Sequence, residues 1–360
     1  MLVKLDLPGV AWGEETYNFT SPISGSGYCL KLHTMRRIFA IVILVVISVL
    51  LGFTYGYMVH RNQIFPYSHI KKAFLKNLYR KEMDWTIGVY EGADPFSLKD
   101  PGSIENPVLT AKDVTDRDAS FIADPFMVET PEGYYLFFEV LDLDSNTGDI
   151  GYAVSQDLKE WTYKKIVIDE PFHLSYPGIY QWNGDYYMIP ESADNNDVRL
   201  YRATSFPEEW EYLGELLSDS KYFDPTAFYR DGKWWMFTSS VGNGVLNLYY
   251  SDSLTSGWQP HPMNPLIKDE PDIARPAGHL FEYDDRLYRV IQDDFPAYGV
   301  QVYSAEITQL STDSYSETVD TLNAVVTMTG KGWNAVGMHQ VDLHKMGDKW
   351  MAMVDGLRRR

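Results

Sequence analysis

The chain has 360 residues, 15% of them aromatic, and a formal charge of -19 from 50 acidic against 31 basic side chains. A nucleic-acid partner needs a basic face, so that class is disfavoured. The single cysteine, Cys29, lies ahead of every repeat described below, which excludes a disulfide framework, a zinc–thiolate site and a cysteine nucleophile from the repeated region.

In chain order, the first feature is an uncharged run of 22 residues over 38–59, long enough to cross a hydrocarbon core of about 30 Å as one helix. A cleaved signal peptide is the competing reading, but the run exceeds a usual signal core and no small-x-small cleavage site follows it. Lys31, Arg36 and Arg37 precede the run, while Arg61, Lys71, Lys72, Lys76, Arg80 and Lys81 follow it, so a plain count of basic residues leaves orientation ambiguous. Met35-Arg36-Arg37 directly before the run reads as a signal-anchor start, with residues 1–34 as a candidate over-extension of the gene. The expected organisation is an N-terminal segment (1–37), a single transmembrane anchor (38–59), a basic juxtamembrane stalk (60–83) and an extracytoplasmic domain (84–360). Residues 1–83 carry ten Lys/Arg and four Asp/Glu, leaving the remainder at -25.

From residue 84 onward the sequence repeats at roughly fifty-residue intervals, the period of a propeller blade. The repeats are Ala123-Asp124-Pro125, Ser175-Tyr176-Pro177, Phe223-Asp224-Pro225 and Ala274-Arg275-Pro276, with a degenerate copy at Met338-His339-Gln340. Each is followed by a turn and an aromatic pair or its remnant, as in Gly133-Tyr134-Tyr135 and Gly232-Lys233-Trp234-Trp235. A third segment follows in four copies: Ile150–Ala153, Val198–Tyr201, Leu246–Tyr249 and Val300–Tyr303. Such short aromatic and β-branched runs between Gly, Asp and Asn turns read as strands. The fold class is therefore all-β, a five-bladed propeller. Only one strand fits after Trp350, so Thr86–Tyr90 and Val108–Thr110 are expected to supply the outer strands of the last blade and close the ring.

In a propeller the first strand of each blade lines the axis, which brings Asp124, Tyr176, Asp224, Arg275 and His339 together. Turn capping before proline explains an Asp but not Tyr, Arg and His at the same place, and mixed donors and acceptors around one axis suit a polar ligand. The second strands add Glu139, Glu191, Ser239, Gln292 and Val354. Glu191 follows Ile189-Pro190 in an apolar strand, where burial would keep it protonated near neutrality; Glu139 is expected either to bind substrate or to pair with Arg275. Asp124 as base, Glu191 as acid and Asp224 as modulator would make a glycoside hydrolase apparatus. Tyr176, Arg275, His279, His339 and Glu139 are the candidate substrate-binding residues, Arg275 for an anionic or hydroxyl group. His173 also falls near the inner strand ends. No spacing marks a metal site, and no cofactor motif is present.

The segments Ile122–Phe126 and Phe223–Phe228 resemble the acidic motifs of the five-bladed furanosidase superfamily, which includes glycoside hydrolase family 43. That resemblance implies a general base at Asp124 and a pKa-modulating aspartate at Asp224. The third motif of that family carries a Glu where this chain has Arg275, a departure that counts against standard hydrolase chemistry. Segments spanning nearly the whole chain after Trp85 are similar to the N-terminal domain of plant glucosamine inositolphosphorylceramide transferases and stand-alone bacterial relatives. In the plant proteins glycosyl transfer is assigned to a separate C-terminal domain, so the resemblance implies carbohydrate or glycolipid association more than transferase activity. The reading is a membrane-anchored propeller acting on a glycan or glycolipid headgroup, glycosidase-like if it is an enzyme. The alternatives are a non-catalytic carbohydrate-binding module, an accessory domain of a glycosyltransferase system, or a protein-interaction scaffold.

Overall fold

The structure, a computed structural model, describes residues 83–240 and 242–359 together with four helical positions, 45, 47, 48 and 52. Two compact units are present, Met1–Ile70 and Lys71–Arg360, and the second contains the propeller. Among the described residues no helix is long and apolar enough to cross a membrane. The expected anchor over 38–59 and stalk over 60–83 fall almost wholly outside the described residues.

Five antiparallel sheets follow the repeat. Blade I consists of Ala119–Thr130, Gly133–Asp142, Gly148–Ser155 and Thr162–Ile168, and blade II of Ser175–Trp182, Asp185–Ser192, Asp197–Ser205 and Glu209–Leu217. Blade III comprises Phe223–Arg230, Lys233–Ser240 and Val245–Ser251, edged by Gln259–Pro260 and Ile267–Lys268. Blade IV starts with the short Arg275–Pro276 and Phe281–Tyr283, then Arg286–Asp293, Gln301–Leu310 and an outer edge of Tyr315–Asp320 and Val326–Thr327. Blade V takes its first two strands, Val341–Met346 and Lys349–Arg359, from the C-terminal end. Its third, Met83–Gly92, comes from the N-terminal side and pairs along its whole length with Lys349–Arg359. Leu109 bridges Ile87 to begin the fourth, so the closure expected from the sequence is present.

Each strand alternates side chains between its two faces, and both faces of a blade meet a neighbouring blade. The core is therefore five apolar layers, one per junction. Ile87, Val89, Ile122 and Phe138 fill the layer between blades V and I, and Phe137, Ile150, Ile179 and Met188 that between I and II. Trp234 packs between II and III, and Trp235 between III and IV, so the repeated aromatic pair is inter-blade packing. Val290 and Val302 meet Val341 and Trp350 between IV and V. Blade IV begins irregularly because Gly278, at φ +142°, brings it against blade V: a Cβ there would lie 1.9 Å from the Val341 carbonyl oxygen.

Candidate axial site

In three blades one residue within the inner strand is held in the left-handed region, Asp124 at φ 54°, Tyr176 at 47° and Asp224 at 49°. Each precedes a proline and lies in a break of register, between Ala123 and Phe126, Ser175 and Gly178, and Phe223 and Thr226. A bulge re-aims a side chain. Positive φ is costly for residues other than glycine and tends to be kept where a constellation requires it.

The side chains so placed tie blade to blade. Asp355 Oδ2 accepts the backbone N–H of Asp124 at 3.2 Å, Asp124 Oδ2 that of Tyr176 at 3.1 Å, and Glu191 Oε2 that of Asp224 at 3.2 Å. Arg275 joins blades II, III and IV: Nη2 lies 3.1 Å from Asp224 Oδ1 and 3.4 Å from Glu191 Oε2, while Nε donates to Asp224 Oδ2. His339 sits between two carboxylates, with Nδ1 2.7 Å from Asp355 Oδ2 and Nε2 3.3 Å from Asp124 Oδ1. None of these six side chains is more than 10% exposed.

Burial sets the protonation. It pushes Asp124 up to about 7 against the pull of His339, and it holds Glu191 well above the ordinary carboxyl range, with Asp224 adding to the effect. Burial opposes a charged His339, but Asp355 outweighs it and lifts the ring to about 9. Arg275 loses solvation yet is held more firmly cationic by Asp224. Two aromatic rings border the cluster. Trp85 lies 4.1 Å and Tyr298 5.3 Å from the His339 ring centroid. Tyr298, 42% exposed, also lies 5.3 Å from the Arg275 guanidinium, within cation–π range. Asp124, His339 and Asp355 offer ligand atoms within 4.8 Å of one another. Each nitrogen of the His339 ring faces one of these two carboxylates. The trio is an ion-paired triad.

The remaining candidates are placed elsewhere. Tyr176 is 1% exposed, and its hydroxyl lies 2.8 Å from Thr226 Oγ1 and accepts the Gly278 N–H at 2.6 Å. It thereby links the inner strands of blades II, III and IV. Phe126 packs edge-on against both Tyr176 and His279; His279 Nδ1 lies 2.9 Å from Asp342 Oδ1, and the ring does not join Glu191. Glu139 meets His173 Nε2 at 3.4 Å rather than Arg275. Val354 is an apolar core residue; the next residue, Asp355, is the acid that reaches the axis. Asp355 stands as a lone acid directly after the apolar run Trp350–Val354, a signal the sequence carries. Tyr298, on the turn between two strands of blade IV, has no repeat signature.

The sheets and the axial cluster define a five-bladed propeller closed by its N-terminal strand. An α-L-arabinofuranosidase from Podospora anserina, solved in complex with cellotriose, superposes with a TM-score of 0.50 at 9% identity over 65% of this chain and 90% of that one, a likeness of fold alone. The chain belongs to the family described as glucosamine inositolphosphorylceramide transferase 1, N-terminal, which matches residues 79–357. Glucosamine inositolphosphorylceramide transferase 1 of Arabidopsis thaliana is 33% identical over 329 residues, covering 85% of this chain and 43% of the relative. The Oryza sativa subsp. japonica protein is 34% identical over 302 residues, 77% of this chain and 40% of the relative. The chain thus spans less than half the length of the curated relatives it matches.

Proposed function

We propose that this chain is a membrane-tethered carbohydrate-recognition domain, which holds the sugar part of a glycan or glycolipid headgroup at the axial site without hydrolysing it. The observation that carries the reading is Arg275 between Asp224 and Glu191. Hydrolysis needs one carboxyl to protonate the leaving oxygen and another to activate water. Here Arg275 engages the candidate acid and modulator, and His339 with the Tyr176 backbone engages the candidate base. What remains is a fixed, charge-balanced set of donors and acceptors beneath an exposed tyrosine, suited to the hydroxyls of a sugar. Because the Arg275 fork is filled by Asp224, the ligand is selected by hydroxyl geometry rather than by anionic charge. The relatives are named for transfer to inositolphosphorylceramide, which makes glycolipid headgroups the first class to try. The uncharged run over 38–59 supports the tether, and the Met35-Arg36-Arg37 start supports a propeller outside the cytoplasm.

A hydrolase remains the second reading, favoured by one observation: Asp124 titrates near 7, where a general base works best, while Glu191 is held protonated. The test is full-length protein in detergent micelles, mixed with vesicles containing a glycosylated inositolphosphorylceramide, with binding and released sugar both measured. Binding without release, unchanged in Asp124→Asn, fits recognition. Release that disappears in Asp124→Asn would establish hydrolysis instead.

A further inference from the structure

Met83–Gly92 and Lys349–Arg359 pair from end to end, with Met83 opposite Arg359. In the same strands Asp355 accepts the His339 backbone N–H at 3.0 Å, Trp85 lies against the His339 ring, and Leu357 bridges Gly337. Arg358 and Arg359 therefore run past the axial residues, at the end of the propeller where the second strand of every blade finishes. The chain enters the propeller at the rim of the axial site.

That rim is uneven in character. In blade V Arg359 is exposed, and Arg358, its side chain 45% exposed, donates to Asp84 at 2.8 Å. Arg80, Lys81 and Arg360 adjoin them in sequence, so five basic residues meet only Glu82 and Asp84, although residues 84–360 together carry -25. In blade IV the turn after Arg286–Asp293 presents Phe295 at 62% and Tyr298 at 42% exposure. This turn is firmly built. Asp294 Oδ1 accepts the Gly299 N–H at 3.0 Å and Gln292 Nε2 at 2.6 Å, Asp294 Oδ2 accepts Asn243 Nδ2 at 2.7 Å, and the Phe295 N–H donates to Asp293 Oδ1 at 3.0 Å. Tyr298 lies over both Arg275 and His339, so the apolar surface is continuous with the axial site. The matching turns of blades II and III, at 193–196 and 242–244, carry no exposed large apolar side chain among the described residues. Blade I offers Leu143, but Asp144 stands beside it and Asp116, Asp118 and Asp169 share its rim, a side that an anionic surface would repel.

An apolar side chain projecting beside a basic cluster is the composition of a surface that lies on a bilayer, and aromatic rings with a polar tip favour the headgroup level. The chain itself points the same way: the basic stretch 71–81 leads directly into this rim from the uncharged run over 38–59. We infer that the rim formed by blades IV and V is a bilayer-contact surface, where Phe295 enters the headgroup layer and Arg358 and Arg359 pair with anionic lipid phosphates, turning the axial site toward lipid headgroups. Each basic side chain close to an anionic surface favours contact by about fivefold. The inference rests on the tether and the glycolipid reading proposed above and deepens them.

The experiment uses full-length protein reconstituted into vesicles of phosphatidylcholine and phosphatidylserine that include a lipid with a nitroxide on its headgroup. A fluorophore is attached in a Cys29→Ser background through Phe295→Cys or, at the opposite end of blade III's inner strand, through Tyr229→Cys; both positions are exposed. The Phe295 label is expected to be quenched at least about twofold more than the Tyr229 label, and that excess should fall by about half without phosphatidylserine or in Arg359→Glu. Flotation of the vesicles checks the tether separately, and because they hold no glycolipid, headgroup recognition does not enter the readout. Protein that floats with equal quenching at both labels overturns the inference and leaves the tether standing. Protein that does not float overturns both, and quenching indifferent to phosphatidylserine overturns the pairing with anionic lipid.

Discussion

Arg275 shows how much one side chain carries. It faces two carboxyls that are otherwise buried, Asp224 and Glu191. Removing one partner of a buried ion pair leaves an uncompensated charge, so Arg275→Ala should lose about 3–5 kcal/mol. Arg275→Lys should recover only part, because an ammonium cannot make the two parallel bonds of the guanidinium fork to Asp224. Urea midpoints at neutral pH decide it, and an unchanged midpoint for Arg275→Ala would show that the carboxyls do not depend on it. The neighbouring triad predicts a pH dependence. His339 is raised from 6.5 to about 9, so its stabilisation is complete below pH 6.5 and is lost as pH rises through 9. Asp124 is raised from 3.8 to about 7; the native state binds its proton more tightly, and that contribution fades as pH rises from about 4 through 7. Both slopes have the same sign, each at most about 1.4 kcal/mol per pH unit. Stability should therefore fall from pH 5 to 9, and His339→Gln should remove the part above pH 6.5, measured by urea titration at each pH. The repeated motif, X-Pro in four copies and degenerate at His339-Gln340, made Asp124, Tyr176, Asp224, Arg275 and His339 legible as an axial set because it recurs at one place in successive blades. Side-chain direction was not legible: the Tyr176 hydroxyl turns to Thr226 and Gly278. Asp355 was missed by a single position, and a one-residue slip on a strand exchanges its faces.

At the scale of elements, blade V rests on a contact that only glycines permit. The two central strands carry Gly88 and Gly356, and Trp333 lies across both: a Cβ on Gly88 would meet Trp333 Cη2 at 2.5 Å, and one on Gly356 would meet Cζ3 at 2.3 Å. Trp333 is itself 8% exposed and packs edge-on to Tyr90, so it has little room to retreat. Gly88→Ala should then cost about 1–3 kcal/mol as an overpacked site, although alanine suits an extended strand better than glycine elsewhere. A thermal shift assay checks the sign, and a stabilised variant would mean that Trp333 yields freely. The outer strands of this blade were legible because Thr86–Tyr90 repeats the third-strand pattern of the other blades. Blade IV's broken inner strand was not, since it follows from the approach of Gly278 to the Val341 carbonyl, a long-range contact without a local pattern.

On the scale of the whole molecule, the five apolar layers form a closed set, and this separates the propeller from an open array of repeats. In an open array each repeat stabilises only its neighbours and the ends can fray. Here Met83–Gly92 covers the edge of Lys349–Arg359 and at the same time supplies Ile87 and Val89 to the layer against blade I. It also places Trp85 against His339, so closure and the axial site share one strand. Deleting residues 1–92 would uncover a long strand edge and open one of the five layers together, leaving a surface prone to pairing with other chains. That variant should show no cooperative thermal transition and should aggregate, whereas deletion of residues 1–78 keeps the strand and should melt in one step. The two deletions are compared by circular dichroism melts and size-exclusion chromatography. A soluble, cooperatively melting protein from the longer deletion would mean that four complete blades and a two-stranded remnant hold the ring, and that closure by the N-terminal strand is dispensable for folding.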